Sequence, residues 1–287
     1  MLAGVPREHS LDQRQLAGRE RPDVHLFTCL YGFHVFALAA TYTRRMKAGF
    51  VEAVTDALLA EGVLAPSDSV VAVCAGLRER ELLVERGFSR AVISNLDAEG
   101  DVAPFDWSRQ DAQQLGFEND SFDFALVVAG LHHCASPHQA LVEMYRVARK
   151  GIVAIEARDS VLTKAAVRLG LASEYELSAV AAHGYRAGGV DDTSIPNFIY
   201  RWTEAEFRKV IRSADPTGEP SFRFFHSLDV PDRMPVASVA GPVLGTLARL
   251  FPRLSNTIAM VALRPRRLWP WLIREGEQVV FDRRHAE

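Results

Sequence analysis

Lysine is nearly absent from this chain. Only four of its 33 basic residues are lysine (Lys47, Lys150, Lys164 and Lys209), and the rest are arginine. Together with abundant alanine, that bias points to a GC-rich bacterial genome. Cysteine is sparse as well: Cys29, Cys74 and Cys134 are widely spaced and form no C-x-x-C pair. Their spacing excludes a disulfide scaffold, argues against a cysteine zinc site and suits a reducing, cytoplasmic compartment. An excess of positive charge is also missing. With 33 basic and 36 acidic residues the net charge is −3, so the electrostatic footprint of a nucleic-acid-binding protein is absent. Internal repeats and low-complexity segments are lacking too. What is present is a 287-residue chain that is 48% hydrophobic, enough to bury a sizeable core and to exclude disorder as a description of the whole.

One apolar stretch imitates a membrane span. Val24 to Tyr42 carries no formal charge and is followed by Arg44, Arg45 and Lys47. His25 and His34 interrupt it, its Ala and Thr are weakly apolar, and helical periodicity continues beyond Lys47. A long buried helix is therefore expected, without stable membrane insertion, after a polar arm over residues 1–20.

From residue 68 the pattern becomes strand–helix alternation. Ser69–Cys74, Arg90–Asn95, Phe122–Val128 and Ile152–Glu156 read as short apolar strands, with helices over RERELLVERG and Pro137–Arg149. Nearly continuous apolar strands of this kind belong to a parallel sheet covered on both faces. Thr203, with Glu206 three residues on, begins a further helix as a capping box. Ser221–Leu228 and Thr257–Leu263 are β-like, separated by an apolar helix around 236–250.

Doubly wound sheets bind ligands beyond the carboxyl ends of their strands, where the strand order reverses. The first such turn is Val73-Cys74-Ala75-Gly76-Leu77-Arg78, and Asp97 ends the second strand 21 positions after Gly76. An acid at that spacing suits the two hydroxyls of a ribose.

Residues 68–156, about a third of the chain, then resemble the core of a class I S-adenosylmethionine (SAM)-dependent methyltransferase. The resemblance rests on Asp111-Ala112-Gln113-Gln114-Leu115-Gly116-Phe117, Ser121-Phe122-Asp123, Leu131-His132-His133 and Arg146-Val147-Ala148-Arg149-Lys150-Gly151, in that order. It implies an α/β, doubly wound Rossmann-like sheet of seven strands in the order 3-2-1-4-5-7-6, with N-terminal helices and a helical lid insertion. It also implies SAM as cofactor. Asp97 would hold the ribose hydroxyls, Asn95 and Leu96 would lie beside the adenosine, and Asp111 with Ala112 would meet the adenine. Cys74, Ala75 and Gly76 would flank the methionine part, and Val128 and Ala129 the sulfonium.

The chain departs from the family at its first turn, where an acid and three spaced glycines are usual. Ala72 stands for the acid, Cys74 for the first glycine and Arg78 for the third. Arg78 could replace the lost glycine contacts by pairing with the cofactor's carboxylate; the alternative is a solvated helix start.

Methyl transfer is an in-line displacement at an activated carbon, so alignment supplies most of the effect. Where a general base is needed, His133 is the first candidate and His132 the second. Acceptor contacts are expected from Tyr31, His183, Tyr200 and Trp202. Asp191-Asp192 could bind Mg²⁺, but exposed loop acids explain the pair, and no metal site is expected.

The expected organisation is an arm and helical cap over 1–66, the SAM-binding core over 67–156, a lid over 157–202, the rest of the core over 203–263, and a tail over 264–287. The partner expected is a small-molecule acceptor, a bulky and partly apolar natural product or a sugar-bearing intermediate. A homodimer stays open. A methyltransferase-like protein that has lost methyl transfer, and promotes an isomerisation or cyclisation or only binds ligand, is the alternative. An absent G-x-G-x-x-G turn disfavours a nicotinamide oxidoreductase, and an absent N/D-P-P-Y/W motif disfavours nucleic-acid methylation.

Overall fold

The computed structural model describes residues 49–97, 100–170, 172–228, 250–251 and 254–285. Val24–Tyr42, with Tyr31 and Cys29, and the expected helix near 236–250 lie outside these residues, apart from Leu250.

A helix over residues 49–60 (α1) leads into β1 (Ser69–Val73), α2 (Leu77–Glu85), β2 (Arg90–Asn95), β3 (Asp106–Arg109) and β4 (Phe122–Val128). Then come α3 (Pro137–Val147), β5 (Ala148–Ala157) and the insertion, which holds α4 (Val161–Arg168), β6 (Tyr175–Glu176), α5 (Leu177–Ala182) and β7 (Asn197–Phe198). The chain continues through α6 (Glu204–Ala214), β8 (Ser221–Ser227), β9 (Thr257–Leu263), β10 (Leu272–Glu275) and β11 (Gln278–Phe281).

The main sheet runs β3-β2-β1-β4-β5-β9-β8. Counting only its own strands, this is the expected 3-2-1-4-5-7-6. The first five strands are parallel, and β9 pairs antiparallel with both β5 and β8.

Successive strand residues point to opposite faces, and both faces are covered. On one side Val71, Val73, Ala125, Val127, Ile152 and Ala154 pack against Leu141, Met144 and Tyr145 of α3 and Phe207 and Ile211 of α6. On the other, Val70, Ala72, Phe124, Leu126, Val153 and Ile155 meet Val51, Val54 and Leu58 of α1 and Leu82 and Leu83 of α2. This two-sided burial explains why the strands read as unbroken apolar runs.

The amino ends of the strands are pinned by charge. Asp123 accepts from the Ser69 N–H at 2.9 Å and from Arg149 Nε at 2.9 Å, and Lys150 Nζ lies 3.1 Å away. Burial opposes its charge, but Arg149, Ser69 and Lys150 together hold its carboxyl well below the usual range. In the last turns of α3, Arg146 clamps the carbonyls of Leu115 and Phe117 at 2.8 Å each, and Glu143 accepts from the Leu115 N–H at 3.0 Å. Two of the motif blocks in the sequence are therefore scaffold that fixes the loop after β3.

Three features differ from expectation. The strand Asp106–Arg109 is four residues long without a β-branched side chain, so its local pattern carries no strand signal. Helix α3 stops at Val147, because Ala148 already pairs with Phe122 at the start of β5. The tail holds a hairpin of β10 and β11 around Gly276-Glu277, with Gly276 at φ +62°, a backbone region that favours glycine.

Candidate active site

A cavity of about 200 Å³ opens where the sheet order reverses, beyond the carboxyl ends of β1, β2 and β4. Cys74 closes β1, Asn95, Leu96 and Asp97 close β2, and Ala129 and Gly130 close β4; all line the cavity. Gln110, Asp111 and Ala112 form a further wall, and Asp191 and Asp192 of the insertion form the rim.

The strand ends are held rigidly. The Ala75 N–H donates to the Ser94 carbonyl at 2.9 Å, and the Ala129 N–H to the Ile155 carbonyl at 2.7 Å. Cys74 and Ala129 both adopt left-handed backbone, at φ +51° and +52°. Such conformations cost about 1–3 kcal/mol each outside glycine and persist only where surroundings enforce them. The Cys74 thiol is raised well above its ordinary value, first by its hydrogen bond with Cys134 and then by burial. It stays a thiol, not a nucleophilic thiolate.

Asp97 is exposed at the cavity, whereas the half-buried Asp111 accepts from the Gln113 N–H at 2.8 Å. Helix α2 starts at Gly76, whose N–H donates to Glu79 Oε2 at 2.9 Å. Glu79 is itself buried, and that burial raises its carboxyl. The start of α2 is thus not a uniformly solvated charged turn. Beside it, Arg78 Nη2 is buried and finds no partner among the described residues.

His132 and His133 form a short 3₁₀ turn after β4. His132 is buried, with Nδ1 3.2 Å from Glu156 and Nε2 3.0 Å from Glu176 of the insertion. Burial lowers the affinity of this imidazole for a proton, but the two carboxylates outweigh it and lift the pKa to about 9. Burial raises Glu176, and its hydrogen bonds to His132 and His133 reverse this, leaving it well below the usual range. His133 lines the cavity, with Nδ1 2.8 Å from the Asn197 amide and Nε2 3.3 Å from Glu176. In this arrangement neither ring presents an unengaged nitrogen to the cavity, and a buried imidazolium at His132 cannot accept a proton.

The structure brings Cys74, Asn95, Leu96, Asp97, Asp111, Ala112, Ala129, His133 and His183 to one cavity. It does not place Ala75, Gly76, Arg78, Val128 or His132 in the lining. Ala75 and Val128 are core residues. Two acceptor contacts require correction. Trp202 is fully buried at the root of the insertion, where its N–H donates to the Ala157 carbonyl and its carbonyl accepts from the Asp159 N–H, both at 2.9 Å. Tyr200 turns its hydroxyl to Glu206, edge-on to Trp202 at 5.2 Å between ring centroids. Aromatic identity suggested a substrate wall; packing places Trp202 in the core and Tyr200 against it at the root of the insertion.

Asp191 is likewise a strap. Its Oδ1 accepts from the Ala135 N–H at 2.9 Å and from Gln113 Nε2 at 3.0 Å, docking the insertion over the cavity. Gln110, Gly130, Cys134, Gly188 and Gly189 also line the cavity without having been singled out for the site. The glycine-rich stretch before Asp191 was a usable signal for Gly188 and Gly189.

Residues 78–155 match the family model described as a methyltransferase domain. No curated protein matches the chain in sequence. Among solved structures, it is similar to magnesium protoporphyrin IX methyltransferase from Synechocystis PCC 6803 with bound SAH. That likeness has a TM-score of 0.50 and 15% identity, covering 83% of this chain and 96% of that one. A Thermotoga maritima protein described as a SAM-dependent methyltransferase, possible histamine N-methyltransferase, is similar at 15% identity and TM-score 0.45, covering 80% and 99%. No helix among the described residues is long and apolar enough to cross a membrane.

Proposed function

We propose that this chain, whose residues 78–155 match a methyltransferase domain, transfers a methyl group from SAM to a small-molecule acceptor in bacterial natural-product biosynthesis, in the cytoplasm. The observation that carries the reading is the meeting of Asp97 and Asp111 around one cavity at the strand reversal.

The residues present fit the cofactor. Asp97 can accept from two neighbouring ribose hydroxyls, and Asp111 from an adenine amino group. Arg78 lies outside the cavity lining, but its buried, unpartnered Nη2 suits an anionic carboxylate that reaches the start of α2. When bound, S-adenosylmethionine supplies an electrophilic methyl carbon on a sulfonium. The chain's own residues orient and exclude water. Cys74, Ala129 and Gly130 set the floor of the cavity, and the insertion covers it through Asp191. With both histidine rings engaged, alignment of the acceptor supplies the rate. Cover by the insertion favours a small acceptor over a polymer.

A second reading, a cofactor-binding fold that no longer transfers methyl groups, draws on Ala72, Cys74 and Arg78 at the first turn. Calorimetric titration with SAM, run beside a methyl-transfer assay on hydroxylated and glycosylated acceptors, separates the two. Asp97→Ala should weaken SAM binding by about 1–3 kcal/mol. Unchanged affinity in that variant removes the central argument, and tight binding without turnover selects the second reading.

A further inference from the structure

We propose that His132, His133 and Glu176 hold a divalent transition-metal ion of the zinc class, at the seam between the turn after β4 and the insertion. Nε2 of His132 and Nε2 of His133 converge on the same oxygen, Glu176 Oε2, at 3.0 and 3.3 Å. All three donor atoms lie within 4.8 Å of one another. Tetrahedral zinc with bonds near 2.0–2.1 Å needs donors roughly 3.3–3.5 Å apart, so small shifts of the side chains admit the ion.

The rear of each ring is already supported. Metal-bound histidines usually donate their other N–H to a carboxylate or carbonyl, which points the free lone pair at the ion. His132 Nδ1 faces Glu156 Oε2 at 3.2 Å. Glu156 is fully buried, and its other oxygen accepts from the Gly130 and Leu131 N–H groups at 2.8 Å each. His133 Nδ1 faces the fully buried Asn197 amide at 2.8 Å. The oxygen of that amide finds no partner among the described residues. Turning the amide over gives this oxygen to the His133 Nδ1–H, in exchange for the 3.4 Å bond that the amide nitrogen makes to the Gly188 carbonyl, and leaves Nε2 for the ion.

Charge favours the same occupant. Two carboxylates bracket His132, and a divalent ion with neutral imidazoles balances both, while the His132 Nε2 proton leaves to solvent and the His133 proton moves from Nε2 to Nδ1. Two imidazoles and one carboxylate select borderline ions such as Zn²⁺ or Co²⁺ over Mg²⁺ or Ca²⁺. Three protein ligands leave a fourth position open. Since His133 lines the cavity, that position suits an oxygen donor of the acceptor; this last step alone rests on the methyl-transfer reading.

The test uses the full chain, freed of metal with a chelator and titrated with Zn²⁺ and, separately, Co²⁺. One equivalent should bind, with the intense visible absorption of four- or five-coordinate Co²⁺. X-ray absorption of the zinc form should show two imidazoles in the first shell. Glu176→Gln and His133→Gln should each lower affinity at least tenfold, while His138→Gln, outside the cluster, should leave it unchanged. Absence of stoichiometric binding, an X-ray spectrum without two imidazoles, or affinity that survives Glu176→Gln and His133→Gln overturns the proposal. SAM titration in chelator keeps the two readings apart: SAM binding without zinc binding sinks only this one, and the converse sinks only the other.

Discussion

Gly130 lacks a side chain because Cys74 occupies the space: a Cβ at Gly130 would lie 2.5 Å from the Cys74 Cβ and 3.0 Å from Val127 Cγ2. The two residues end neighbouring strands and face each other across the floor of the cavity. A side chain where the family has glycine, at Cys74, is thus matched by the absence of one opposite it.

That relationship predicts strong coupling. Gly130→Ala should destabilise the protein by about 1–3 kcal/mol through overpacking. Cys74→Gly removes both the clash and the left-handed strain, so the double variant should recover at least about 1 kcal/mol of the sum of the single effects. Chemical denaturation of the four proteins measures this, and strict additivity would show that the two sites are independent.

Trp202 should matter for stability and not for acceptor choice. Trp202→Ala is expected to cost about 3–5 kcal/mol, with Trp202→Phe much milder. A stable Trp202→Ala protein with an altered acceptor KM would return the residue to the substrate wall.

Arg78 should read the acidic end of the cofactor. Arg78→Met is expected to weaken SAM binding by about 1.5–3 kcal/mol, the range for a hydrogen bond to a charged group. Binding of 5′-methylthioadenosine, which has no carboxylate, should be unaffected. Equal losses for both ligands would mean that Arg78 supports the helix and not the ligand.

Glu204, at the start of α6, should make folding acid-sensitive. His226 at 2.7 Å leads the interactions that lower its pKa, burial opposes it, and Arg158 at 3.0 Å adds to the lowering, leaving it at about 2 against an ordinary 4.5. Its folded value lies below its unfolded one, so its contribution is complete above pH 4.5 and disappears as pH falls towards 2. The melting-temperature difference between wild type and Glu204→Gln should therefore be fully developed at about pH 4.5 and be lost as pH falls through about 2. A difference that persists unchanged at the acid end would assign the effect to packing.

Much of the fold was legible because its strands are buried on both faces. The apolar runs at 69–74, 90–95, 122–128 and 257–263 carry that burial in their composition, and Thr203 announces α6 through a cap whose hydroxyl accepts from the Glu206 N–H at 3.2 Å. Asp97 was legible for a related reason: its spacing from a βα turn is a local quantity. Asp111 was marked by the family motif that begins there, and the topology delivers both to one crevice. The four residues of β3 gave no such signal, since their strand character comes only from pairing with β2.

What the chain order could not decide is which polar and aromatic side chains meet. Trp202 and His183 both lie in or beside the insertion, yet one is its buried root and the other lines the cavity. The difference comes from where the backbone re-enters beside Ala157. His132 and His133 are adjacent in sequence and were expected to share one task. Tertiary structure sets Glu156 and Glu176 on either side of the first ring and Asn197 and the cavity beside the second. Sequence determined the buried strands and the acid that ends β2, because those depend on local burial and spacing, and the family motifs implied the strand order and Asp111. The pairing of β4 with β5 and the packing of the insertion together decided the partners of the histidines, because the carboxylates beside His132 are brought from 24 and 44 residues away.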